Sequence, residues 1–239
     1  MIDLPWMMLL YSSAAGSCIL IGGLLAIITR FQQHWLEQEF RHFVIALGGG
    51  ILVGAVAMVL VPEALEGLNH SLWALPPFIA GGLIFFILEK QLSIHRRSAP
   101  QLTGMLLDYL PESLALGGII ASGSSEAGLL ALLIGLQNLP EGFNAFRELQ
   151  EAGQARRKTL GLMAALVPLG PLLAMLGYTV LAGQDTALSV ILLLASGGIL
   201  YLIFQDIAPQ AKLERHWAPP LGAVSGFALA MLGTLLTHS

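Results

Sequence analysis

Charge is what this sequence has least of. Only 11% of its 239 residues are Asp, Glu, Lys or Arg, where soluble domains average about 25%. At a mean hydropathy of +0.77 there is too little polar surface to clothe a soluble globule. The net charge of −4 supplies no basic face for nucleic acid, so no nucleic-acid partner is expected. Cysteine is nearly absent. Cys18 stands alone inside the first apolar run, so no intrachain disulfide can form. The segment Met1 to Leu4 has no basic residue, which argues against a cleaved signal peptide.

Apolar runs are what the sequence has in quantity. Runs of about 20 residues span a bilayer. Hydropathy places such runs at residues 5–29, 43–61, 73–88, 102–121, 128–146, 160–182, 187–205 and 217–236. The expected fold is all-α: a polytopic membrane protein of eight transmembrane helices, one transmembrane domain covering 1–239. No connection between the runs is long enough to hold a soluble domain.

The basic residues test that parse. Arg30 and Arg41 fall between runs one and two, and Lys90, Arg96 and Arg97 between three and four. Arg147, Arg156, Arg157 and Lys158 fall between five and six, Lys212 and Arg215 between seven and eight. No other Lys or Arg exists in the chain. The opposite loops and the termini carry Asp3, Glu63, Glu66, Glu126 and Asp185 instead. Random placement would do this roughly once in a thousand, and the positive-inside rule puts the basic side in the cytoplasm. The expected location is an integral membrane, a bacterial inner membrane, with both termini outside the cytoplasm. Single cysteines in a Cys18-free background should therefore label from inside at Ser98 and Gln154, and from outside at Ser124 and Gln184. Label reaching Ser98 and Ser124 from the same side would break the eight-span reading.

Most runs have no ionisable residue at their centre; runs four and five do. Run four reads Leu107-Asp108-Tyr109-Leu110-Pro111-Glu112-Ser113, and run five Leu136-Gln137-Asn138-Leu139-Pro140-Glu141-Gly142. The shared pattern of two polar positions, Leu, Pro, Glu and a small residue is a short internal repeat. Asp108 and Glu112, like Gln137 and Glu141, are four apart and stack on one helix face. At about 1.5 Å rise per residue, Glu112 and Gln137 fall near mid-membrane. Asp108 and Glu141 fall one turn closer to the basic side. Each proline removes a backbone donor and frees the carbonyl four residues earlier, on Leu107 and Leu136. Freed carbonyls at membrane depth are tolerated where they line a cavity.

Three ionised, unpaired carboxylates at this depth would cost roughly 8–10 kcal/mol on insertion scales. No Lys or Arg lies deep enough to pair with them. Either they are protonated and bond neighbouring carbonyls, holding helices together, or a cation comes from outside. Intramembrane ionisable residues usually mark ion pathways, and oxygen-rich sites suit hard divalent ions.

The two Pro-Glu segments, with eight spans and both ends outside, resemble the ZIP family of divalent-metal transporters over nearly the whole chain. The family pattern centres on a His-Asn-x-Pro-Glu-Gly type segment. Run five departs only at Gln137, a residue seen there in some members. Run four departs at Asp108, Tyr109 and Ser113, which stand for histidine, asparagine and glycine. Run six reads Val167-Pro168-Leu169-Gly170, where many members carry glutamate before the proline. The resemblance implies a three-plus-two-plus-three inverted-repeat bundle that moves a divalent metal toward the cytoplasm. It also implies that Tyr109 and Val167 remove two ligands of a second metal position. One metal site is expected, drawn from Asp108, Glu112, Gln137 and Glu141, with Asn138 as a further candidate. Zinc, iron(II), manganese or cadmium is the expected substrate, and no organic cofactor. Partners are the metal ions and the lipid bilayer, with a homodimer left open.

Away from this centre, Glu63, Glu66 and His70 are candidates for a cation entrance, or ordinary loop residues. Asp206, in Gln205-Asp206-Ile207-Ala208-Pro209, resembles a family segment near the release path and is the exit candidate. His95 stands in a basic loop where ZIP proteins often carry many histidines. His34 and His42 flank Trp35 and Phe40 in an interfacial stretch. Gly48-Gly49-Gly50 and Gly54 fit close helix packing. Two other functions stay open: a non-transporting metal-binding or sensor homologue, and an intramembrane aspartic-type hydrolase using paired acids. The expectation is that the chain is not an enzyme.

Overall fold

The computed structural model describes residues 4–29, 34–95, 100–212 and 217–237. Asp3, Arg30, Arg96, Arg97, Ser98 and Arg215 lie outside the described residues, as do the side chains of His34, Trp35 and His95. Among the described residues all regular structure is helical. The helices are α1 Leu4–Ile28, α2 His34–Ala55, α3 Val61–Gly67, α4 Leu75–His95, α5 Pro100–Ser122, α6 Ala127–Glu151, α7 Arg156–Leu166, α8 Leu169–Val180, α9 Asp185–Leu202, α10 Ala208–Ala211 and α11 Leu221–Thr237.

Several expected spans are composites. A π-turn over Val56–Leu60 joins α2 to α3, and a second over Ile203–Ile207 joins α9 to α10. Each ends just short of a proline, Pro62 or Pro209, that cannot donate to the carbonyl four residues back. The helix widens instead: Val61 N–H donates to the Val56 carbonyl, and Ala208 N–H to that of Ile203. The sixth run breaks at Val167-Pro168 into α7 and α8. Among the described residues, six continuous stretches are long and apolar enough to cross a membrane: 4–28, 36–67, 72–92, 101–122, 156–180 and 185–211. That is the makeup of a helical membrane protein. The remaining two stretches fall outside this set. The helix α11 has 17 residues. The 25-residue α6 gathers Gln137, Asn138, Glu141, Asn144 and Arg147 into one stretch.

Helices pack in tight pairs: α1 with α6, α5 with α8, α2 with α11 and α4 with α9. A glycine makes each approach possible. A Cβ on Gly142 would strike the Ile19 carbonyl, on Gly117 that of Ala174, on Gly226 that of Leu47 and on Gly197 that of Phe78. Small residues at crossings let backbones close in, the usual packing device where the solvent is lipid. Gly117→Val should thus destabilise by about 1–3 kcal/mol, the ordinary cost of overpacking, lowering the thermal midpoint in detergent. Gly161→Ala, whose added Cβ meets nothing within 4 Å, should leave it unchanged. Equal midpoints in both variants would contradict the packing described.

The α5–α6 pair sits inside this frame, with α1, α2, α8 and α9 around it. At one end of the bundle Arg147 bonds Glu37 at 2.6 Å and the Thr29 carbonyl, and Arg41 bonds Glu151 at 2.6 Å. Gln101 N–H donates to Glu148 at 3.0 Å. At the opposite end Ser124 donates to Glu63 at 3.1 Å. Each contact joins helix ends that alternating crossings would bring to the same side.

Candidate metal centre

Two proline-containing helices build the centre. Pro111 and Pro140 lie within α5 and α6, so neither can close the backbone bond to the residue four before it. The side chains nearby are almost wholly out of contact with the surroundings. Asp108 is 2% exposed, Glu112 0%, Gln137 0% and Glu141 9%. They form two tiers. In one, the Gln137 amide nitrogen donates to Glu112 Oε2. In the other, the carboxyls of Asp108 and Glu141 face each other across the helix pair. The Asp108 and Glu112 charges also act on one another along α5. This is the layering that the four-residue spacings imply.

The tiers are rich in acceptors without donors. Glu112 Oε1 and Gln137 Oε1 are buried with no hydrogen-bond partner, and the buried Glu141 oxygens have only the Asp108 carboxyl beside them. Such groups are costly in a low-dielectric interior. No Lys, Arg or His is among the buried residues described. Arg41 and Arg147 are already neutralised, by Glu151 and Glu37. Among the described residues, no three His, Cys, Asp or Glu side chains converge closely enough to hold a metal together. The acids are stacked as tiers rather than gathered about one point.

Small cavities adjoin the Asp108–Glu141 tier. One, of about 30 Å³, is lined by Asp108, Glu141, Asp206, Gln101 and Gln210 among others. It has room for one or two water-sized occupants. A second, of about 20 Å³, lies between Glu141, Asn144 and Gly48. Gln101 borders both, and its amide bonds that of Gln210 across the floor.

Asp206, the exit candidate, therefore shares a cavity with Asp108 and Glu141. It is presented by the π-turn, with Glu89 of α4 in electrostatic reach. Glu63 lies elsewhere, in a cavity of about 250 Å³ at the opposite end with Glu66 and Asp185. That cavity shares no lining residue with those at the carboxylates. Asn138 turns away from the tiers: its amide nitrogen donates to the Ala15 carbonyl of α1 at 3.0 Å. Tyr109 is fully buried, with its hydroxyl 3.4 Å from the Val167 carbonyl. A Cβ on Gly16 or Gly170 would collide with that hydroxyl. The phenol thus fills the space between α5, α1 and the start of α8.

Sequence reasoning passed over Gln101, Gln210 and Asn144. Asn144 had a signal, since it follows Glu141 by three and shares its helix face. Its Oδ1 is also buried without a partner. Gln101 had none, because its role depends on where α10 ends. No protein-family model matches the chain, and no curated protein matches it.

Proposed function

We propose that the chain is a divalent-metal transporter whose substrate passes through a single carboxylate site on α5 and α6. The observation that carries this reading is three buried carboxyls, Asp108, Glu112 and Glu141, with the unpartnered amide oxygen of Gln137 beside them and no buried cation among the described residues. A divalent ion supplies the missing charge, and carboxylate and amide oxygens are suitable ligands for manganese, iron(II) or zinc. Binding requires a small adjustment that draws the two tiers toward the ion, and the hinge points are the prolines. Tyr109, filling the space beside Val167, supports one metal position rather than two.

In this reading the eight runs are eight spans in a ZIP-like three-plus-two-plus-three inverted arrangement. The helix pairing supports it. Exchanging span one with six, two with seven, three with eight and four with five turns α1–α6 into α8–α5, and α2–α11 into α9–α4. The two π-turns occupy matching places on spans two and seven, each before a proline. The basic end is cytoplasmic. Metal moves from the Glu63 vestibule to Asp108 and Glu141, then past Asp206 to the cytoplasm. The cavity of about 30 Å³ at the facing carboxyls suits an ion better than a peptide, which weighs against the hydrolase reading.

The test is stoichiometry. Purified protein equilibrated with zinc or manganese should retain one ion per chain, and the Glu112→Gln/Glu141→Gln double variant none. Retention by the double variant equal to that of the wild type would sink the site.

A further inference from the structure

A further cavity, apolar and far larger, lies on the outside of the bundle. It measures about 890 Å³ and runs between α2, the second π-turn, α10 and α11. Its walls include Gly49 and Gly50 of α2, Ile207 of the π-turn, and Ala223 and Phe227 of α11. Small side chains on both walls make the slot. Along α11 it extends from Ala223 to Met231, about 12 Å by helical rise. At its mouth stand Lys212 and Trp217. Lys212 is exposed and makes no ion pair among the described residues, and Trp217 is 91% exposed.

We propose that this groove holds an acyl chain of an anionic phospholipid, with the lipid phosphate at Lys212. At membrane depth an apolar slot is not filled by water, and acyl chains are the surrounding solvent. Trp is favoured at headgroup level. A lysine near the membrane surface draws anionic lipid. Lys212 and Trp217 close the same mouth, so headgroup and chain are engaged by one site. A second copy of the chain fits less well, because a two-fold contact sets a patch against itself and two concave slots do not interlock. Ile207 also lines the small cavities beside Asp108 and Glu141. Ile207 is thus common to the walls of the groove and of the cavities at the carboxylates. The lipid site stands independently of the transport reading.

Fluorescence of Trp217 tests it. Trp6, Trp35 and Trp73 are changed to Phe, and the protein is placed in phosphatidylcholine vesicles. These are doped with brominated-chain phosphatidylglycerol or brominated-chain phosphatidylcholine. The anionic quencher should reach half-maximal quenching at a several-fold lower mole fraction. Lys212→Gln should erase that difference. Ala228→Phe keeps the lysine but fills the groove, where Ala228 lines the wall, and should erase it too. Ala228→Leu gives the same reading should the bulkier variant not fold. Equal quenching by both lipids would overturn the proposal. So would a preference that survives the filled groove, which would place the lipid at the surface alone. Ready disulfide cross-linking of Ala228→Cys between two chains would assign the groove to a second copy instead.

Discussion

Replacing Glu112 or Glu141 with alanine should cut divalent-metal flux by about two orders of magnitude or more. Changing groups that merely support a metal ligand typically costs 10–100-fold in affinity or activity, and these two carboxylates are assigned as ligands themselves. Each lies on its own helix, one in each tier, and each is buried with no cation beside it. Removing either leaves one acidic residue fewer to offset two positive charges in a low-dielectric site. Glu112→Gln separates charge from shape, because Gln137 can still bond the side chain that replaces the acid. Its flux should fall nearly as far as that of the alanine variant. Val167→Ala should change little, since Tyr109 already fills the space beside it. The comparison is initial uptake into proteoliposomes with matched protein incorporation. Undiminished flux in both glutamate variants would remove the tiers from the mechanism.

The second large effect concerns metal choice. Imidazole nitrogen suits zinc, copper and nickel, whereas carboxylate and carbonyl oxygen suit manganese, magnesium and calcium. The site assembled here is all oxygen: two glutamates, Asp108 and the unpartnered amide oxygen of Gln137, whose nitrogen is committed to Glu112. Zinc also binds carboxylates, at about 2.0–2.2 Å, and outbinds manganese at most sites. The expectation is therefore weak discrimination, not exclusion. Asp108→His places a nitrogen donor opposite Glu141 and should move the zinc-to-manganese uptake ratio several-fold toward zinc. Competitive uptake of the two ions measures it. An unchanged ratio, with both proteins active, would show that Asp108 does not touch the ion.

Much of this centre was legible before any coordinates. The four-residue spacings in Asp108/Glu112 and Gln137/Glu141 fix which side chains share a helix face, and helical rise fixes their depth. The two tiers follow once those faces meet, which the packing of α5 against α6 supplies. Where the reading stopped, the cause was information that is not local. Hydropathy sees an uninterrupted apolar run through residues 43–61 and cannot see a π-turn. The widening at Val56 and Ile203 depends on how Pro62 and Pro209 seat against neighbouring helices. The break at Val167-Pro168 was visible as a proline but not as the end of α7. Asn138 turns toward Ala15 because α1 packs close enough to offer a carbonyl, and no spacing rule contains that. Gln101 and Gln210 meet only because α5 begins where α10 ends. The lipid groove is a property of three separated segments, and its residues look like ordinary apolar lining when read along the chain.

The account rests most directly on whether the protein moves metal at all. Purified wild-type protein in proteoliposomes, offered zinc, manganese, iron(II) and cadmium in turn, should take up at least one of them saturably. Protein-free vesicles should not, and the Glu112→Gln/Glu141→Gln protein should match the protein-free baseline. Folded wild-type protein that binds one ion per chain yet carries none of the four across the membrane would contradict transport and leave the site as that of a metal sensor.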